Sequence, residues 1–174
     1  AESENIRFVI DKEAPTVEFF NEVDSETKLI NENVYNIDKV KVKVSDKNLD
    51  DNNIRFDVKK YLNDSDTVEV DYKNEAGEKL GFKDGEVIIP FNEDGIYEIQ
   101  VSGTDRSGNR IAEQDGKIKL IIDKTKPVVN IKNYDTLNGS FNKKVDSVKF
   151  SVNEANFEQS NLDFTVTKTK ANSE

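Results

Sequence analysis

The 174-residue chain contains no cysteine and no histidine, and that absence sets which chemistry its side chains can do. Thiol and imidazole nucleophiles, disulfides, and zinc or iron sites built on nitrogen or sulfur are excluded. Oxygen ligands remain. Asp11, Asp46, Asn48, Asp50 and Asp105 are the residues whose types and placement fit such a role, because they fall in polar stretches around Asp11, over residues 45–53 and over residues 103–109. Calcium takes roughly six to eight oxygens from residues of this kind. The spacing lacks the Asp-x-Asp-x-Asp-Gly register and closing Glu of an EF-hand loop. Asp and Asn also cap backbone N–H groups in ordinary turns, so a calcium site and a set of turn-formers both fit these residues. No other cofactor is expected.

Catalysis is not expected. A glycosidase-like reaction needs two carboxylates across a cleft, and with 35 acidic residues some pair meets by chance. The acidic residues outnumber the 25 lysines and arginines, for a net charge of -10. That balance argues against nucleic acid, whose phosphates need clustered cations, and against an anionic membrane surface. No apolar run approaches the roughly 18 residues of a membrane span. No charged-then-apolar leader opens the chain, so any signal peptide is expected to lie outside it.

The elements that position these residues are strands. Hydrophobic and charged residues each make up 34% of the chain, a balance that leans toward disorder, but the apolar residues are arranged with period two. Val40, Val42 and Val44 alternate with lysines. Ile54, Phe56 and Val58 alternate with Arg55, Asp57 and Lys59. Tyr97, Ile99 and Val101 alternate with Glu98 and Gln100, and Ile118, Leu120 and Ile122 follow the same rule. Alternation means strands with one buried and one wet face. Strands are expected near 16–20, 38–44, 54–59, 67–73, 86–91, 95–103 and 117–122, separated by turn signals such as Asp84-Gly85 and Ser107-Gly108-Asn109. Many short strands with regular turns indicate an antiparallel sandwich. No helical stripe appears.

An internal repeat divides the chain. Ile6-Arg7-Phe8-Val9-Ile10-Asp11-Lys12-Glu13-Ala14-Pro15 recurs as Ile118-Lys119-Leu120-Ile121-Ile122-Asp123-Lys124-Thr125-Lys126-Pro127, at an offset of 112. Val40 to Val44 and Ile54 to Val58 recur as Val148 to Val152 and Leu162 to Val166, at an offset of 108. Residues 1–10 therefore read as the last strand of a preceding unit. Residues 11–123 read as a complete unit, and residues 124–174 as the N-terminal part of a second.

Three motifs add detail. Asp94-Gly95-Ile96-Tyr97 is similar to the D-x-G-x-Y-x-C signature of immunoglobulin strands, which makes Tyr97 a candidate tyrosine corner. Two linkers, ending in Pro15 and Pro127, look like D-K-T-x-P. The loop with Asp105, Gly108 and Asn109 looks like T-D-x-x-G-N. Together these resemble the bacterial Ig-like domains of tandem arrays in Gram-positive cell-surface proteins. Glu13 departs from the linker pattern, and residues 61–85 match nothing in it.

The resemblance implies an all-β fold of immunoglobulin-like antiparallel β-sandwich repeats, one complete unit plus partial neighbours. It implies a non-catalytic extracellular module, at the cell surface or secreted, that acts as spacer, stalk or adhesin. The alternatives are a module that binds carbohydrate or a host protein, and an accessory domain of a secreted polysaccharide-acting enzyme. Exported Gram-positive proteins often avoid cysteine, which agrees. In such a sandwich Asp11, the loop with Asp46, Asn48 and Asp50, and Asp105 with Asn109 meet at the junction with the preceding unit, where calcium would stiffen the joint. The expected partners are neighbouring Ig-like domains in the same chain, and a host protein or glycan, with no nucleic acid and no membrane insertion. Residues 6–10, separated from their own unit, are also expected to pair with residues 128–168 of a neighbouring molecule.

Overall fold

A computed structural model describes residues 10–23, 27–132, 147–156, 162–165 and 167. The chain divides into two compact units, Ala1–Lys124 and Thr125–Glu174. The expected strand over residues 6–10 lies outside the described residues except for Ile10, which belongs to no strand.

The first unit is all-β apart from a single 3-10 turn at Asp51–Asn53. Strands β1 (Thr16–Asn21), β3 (Lys39–Ser45) and β6 (Glu86–Pro90) form an antiparallel sheet in the order β1-β3-β6. Strands β2 (Asn33–Tyr35), β4 (Ile54–Tyr61), β5 (Thr67–Glu69), β7 (Gly95–Gly103) and β8 (Lys117–Ile122) form a second sheet in the order β2-β8-β7-β4-β5. Every pairing is antiparallel except β2 with β8.

Period two produces this arrangement directly. Val40, Val42 and Val44 of β3 are buried while Lys39 and Lys43 are exposed, and β4, β7 and β8 bury every second residue in the same way. The inward residues of both sheets join in one apolar cluster, with Val40, Ile89, Ile99 and Leu120 fully enclosed. Two sheets that share one core make a β-sandwich. The Asp84-Gly85 signal becomes a two-residue hairpin turn with both residues at positive φ (53° and 77°), the conformation that Asp-Gly suits best.

Two elements differ from expectation. The strand expected over 67–73 pairs only through Thr67–Glu69, because beyond Val70 the chain turns Tyr72 edge-on against Phe91, with ring centroids 6.1 Å apart. The short strand β2 was not anticipated, since three residues cannot display an alternation. It is held by β8 through Glu32 N to Lys119 O (2.6 Å) and Asp123 N to Tyr35 O (2.9 Å).

In the second unit, β9 (Val128–Lys132) pairs antiparallel with β10 (Lys149–Asn153). Val129 faces Val152 and Ile131 faces Phe150, just as Val17 faces Val44 and Phe19 faces Val42 in the first unit. The offsets of 112 and 108 carry one register onto the other at five consecutive pairs. Leu162 to Thr165 lie in no strand.

Candidate functional site

Asp11, Asp46 and Asp105 come together past the ends of β3 and β7, with carboxylate oxygens within 4.8 Å of one another. Asp105 is buried at 2% exposure, while Asp11 and Asp46 are half-buried. Asn48 joins them by donating its amide Nδ2–H to Asp11 Oδ2. Asp50 does not. It caps the 3-10 turn instead, accepting from Asn52 N at 3.1 Å.

Each of these carboxylates holds its own turn. Asp11 Oδ1 accepts from Glu13 N (3.0 Å), and Asp46 Oδ1 from Asn48 N (2.6 Å). Asp105 does most: Oδ1 accepts from Ser107 N (2.8 Å) and Asn109 N (2.9 Å), and Oδ2 from Asn109 Nδ2 (2.8 Å). Asn109 Nδ2 also reaches Asp11 O (3.3 Å), and Arg106 N donates to Asn48 O (3.0 Å). Gly108 closes the loop with φ of 89°, a conformation that favours glycine. The loop 103–109, the loop 45–53 and the linker at Asp11 are thus tied into one network. The Asp11 carboxyl sits below its usual range, chiefly because of the Glu13 backbone N–H and then the Asn48 amide.

The donor set bears on calcium. A cation needs oxygens turned toward it, and three carboxylates supply fewer than the roughly six that calcium takes. The amides of Asn48 and Asn109 aim N–H groups at the carboxylates, so an ion would have to displace those donors. The expected result is that the unfolding midpoint is the same in millimolar calcium as in a chelator. Binding at 100 times Kd would add about 2.7 kcal/mol, so a clear upward shift would place an ion here.

The other singled-out residues sit as follows. Pro15 is buried at the start of β1, and Pro127 is exposed. Tyr97 is 4% exposed, and its hydroxyl donates to Glu93 O at 3.0 Å. At Gly95 a Cβ would meet Lys60 Cε at 2.8 Å, where Lys60 bonds Glu93 (2.6 Å) beneath the Tyr97 ring. The Lys60 ammonium is held above its usual range, mainly by that bond to Glu93. Tyr97→Phe keeps the ring and deletes the one hydrogen bond. It is expected to cost about 1 kcal/mol, measured by urea unfolding; no loss would mean that the bond does not form in solution.

Two features were missed from sequence. Asp51 accepts from Asp84 N (2.6 Å) and Gly85 N (2.9 Å), pinning the β6 hairpin turn to the loop before β4. The Asp-Gly turn was legible, but its partner was not. The second is an open groove of about 520 Å³ lined by Asn31, Tyr61, Glu98, Lys117 and Lys119. Tyr61 Oη donates to Glu98 (3.1 Å), Lys117 pairs with Glu98 (3.0 Å), and Lys119 Nζ lies 4.6 Å from the Tyr61 ring centre. Burial pushes the Glu98 carboxyl up, and the bonds from Lys117 and Tyr61 more than cancel this, leaving it below its usual range. Strand alternation does put Glu98, Lys117 and Lys119 on one outer face, which is the signal that could have located this groove.

No helix among the described residues is long and apolar enough to cross a membrane. Set against known proteins, the chain matches no protein-family model, no curated protein and no solved structure.

Proposed function

We propose that this chain is a non-catalytic Ig-like repeat module of an extracellular bacterial surface protein, serving as spacer, stalk or adhesion module. The observation that carries the reading is the shared register of the two hairpins. The same offsets that align the sequences also align β1–β3 with β9–β10 pair by pair. The local turn follows too: Glu154 Oε1 accepts from Asn156 N (3.4 Å), as Asp46 does from Asn48 N. Two copies of one hairpin in series are what a tandem array requires.

Immunoglobulin-like topology is supported by the sheet orders β1-β3-β6 and β2-β8-β7-β4-β5 and by the Tyr97 hydroxyl bonded back to Glu93. The spacer role is supported by the linker. Lys124 N donates to Asp94 Oδ1 (2.9 Å), and its Nζ donates to Asp38 Oδ1 (3.1 Å) and Phe91 O (2.8 Å). The first residue after Asp123 is thereby fastened to the sandwich it leaves, which favours a stiff exit over a loose tether. The extracellular setting comes from the resemblance of the linker and loop motifs. A glycan-binding role is less well supported, because the ring of Tyr61 in the open groove is covered by Lys119.

A protein carrying several consecutive copies of the unit tests the proposal. Solution scattering is expected to give a rod with the cross-section of one sandwich. A compact particle would overturn the spacer reading.

A further inference from the structure

The hairpin of the second unit carries an apolar face that its counterpart in the first unit keeps inside. Phe19, Val42 and Val44 are 7%, 0% and 3% exposed, whereas Ile131 and Phe150 at the first two of these positions are 48% and 42% exposed, and Val129 is 55%. Phe164, the counterpart of the buried Phe56, is 70% exposed with its ring 5.5 Å from that of Phe150. In the first unit this face is covered by the five-stranded sheet, to which β8 contributes Ile118, Leu120 and Ile122 at 3%, 0% and 1% exposure. Nothing after residue 153 in these 174 residues matches β8. Residues 6–10 do: Ile6, Phe8 and Ile10 stand where Ile118, Leu120 and Ile122 stand, at the offset of 112. The first unit has no use for them, because its own β8 is paired on both edges, with β2 and β7.

We infer that residues 6–10 of one molecule cover the Val129, Ile131 and Phe150 face of a second molecule, joining copies of this chain head to tail. The donor comes from another molecule because of how the first unit is threaded. Asp11 lies past the end of β7 beside Asp105, and Lys124 lies at its start beside Asp94. The nine residues of β7 separate these exits by about 27 Å at roughly 3.3 Å per residue. The four residues from Lys124 to Val128 extend at most about 14 Å. Apolar contact across the sandwich drives the association, since the donated strand meets a face and not a free ladder edge. The inference rests on the tandem-unit reading above.

The test is sedimentation of the whole chain and two variants, Phe8→Asp (donor lost) and Ile131→Asp (acceptor lost), over concentrations from about 1 µM to about 1 mM, the range in which contacts of modest free energy are populated. The wild-type mass is expected to rise with concentration past the dimer. Each variant alone is expected to stay monomeric with the unfolding of the first unit unchanged. Their mixture is expected to stop at a one-to-one pair, because only one intact donor and one intact acceptor remain. A wild-type monomer throughout overturns the inference. So does association of Phe8→Asp, which would mean that hairpins pair face to face, and so does a mixture that stays monomeric. A magnetic-resonance contact between Val129 and Val152 in the Phe8→Asp protein separates the two readings: its presence keeps the tandem unit even where association fails, and its absence removes both.

Discussion

Replacing Phe91 with alanine is expected to cost the first unit about 3–5 kcal/mol, the usual range for deleting a buried aromatic ring. Phe91 is 1% exposed and lies edge-on to Tyr97, with ring centroids 4.7 Å apart, and to Tyr72 at 6.1 Å. Its loss removes apolar burial and both ring contacts, and the packed β-branched neighbours cannot collapse into the space. The backbone of the same residue is also engaged: Phe91 N donates to Asp38 O (2.7 Å), and Phe91 O accepts from Lys124 Nζ (2.8 Å). A shift in the ring's position therefore reaches the linker anchor. Urea unfolding should show a lower midpoint with an unchanged slope, and the thermal midpoint should fall by roughly 10–20 °C. Phe91→Leu, which keeps most of the volume, is expected to lose much less. A loss below about 1 kcal/mol for the alanine variant, typical of a surface change, would mean that the sandwich core is not packed as described.

Asp105→Ala is expected to cost about 2–4 kcal/mol, through a different cause. The carboxylate accepts from two backbone N–H groups and the Asn109 amide at 2% exposure. Alanine leaves those donors buried and unpaired, and each orphaned group costs on the order of 1–3 kcal/mol unless water reaches it. Asp105→Asn separates the contributions. Its carbonyl can still accept from Ser107 N and Asn109 N, while its amide meets the Asn109 amide donor to donor, so an intermediate loss is expected. Because Asn109 also bonds Asp11 O, hydrogen exchange around Asp11 should quicken in the alanine variant. A variant as stable as the parent would reduce the loop network to a surface decoration.

How far the sequence could be read depends on how many residues carry each signal. Long alternations over residues 39–45, 54–59 and 95–101 place whole strands and their buried faces, because each residue repeats the same statement. Asp84-Gly85 and Gly108-Asn109 were legible because positive φ restricts residue choice sharply. The meeting of Asp11, Asp46 and Asp105 followed from the strand order that a sandwich imposes. What escaped depended on single contacts. Asp50 and Asp51 are neighbours of one type, yet one caps a 3-10 turn and the other holds the Asp84-Gly85 turn. Whether the cluster carboxylates face a cation or N–H donors is decided by side-chain rotamers of Asn48 and Asn109, about which spacing says nothing. The strand β2 owes its existence to an edge offered by β8, a tertiary fact with no local trace.

The parallel pairing of β2 with β8 determines how the first unit carries mechanical load. The chain enters beside Asp105 and leaves beside Asp94, so tension applied along an array pulls on opposite ends of one sandwich. It draws β2 and β8 past each other lengthwise, and the bonds at Glu32, Asn31 and Tyr35 bear the strain together. An antiparallel edge pulled from its open end would instead come apart one bond at a time. Lys124, fastened at three points, keeps the pull on the end of β8 and away from the core. The unit is built to yield late and abruptly under tension, with a single rupture in a pulling trace and no gradual lengthening before it.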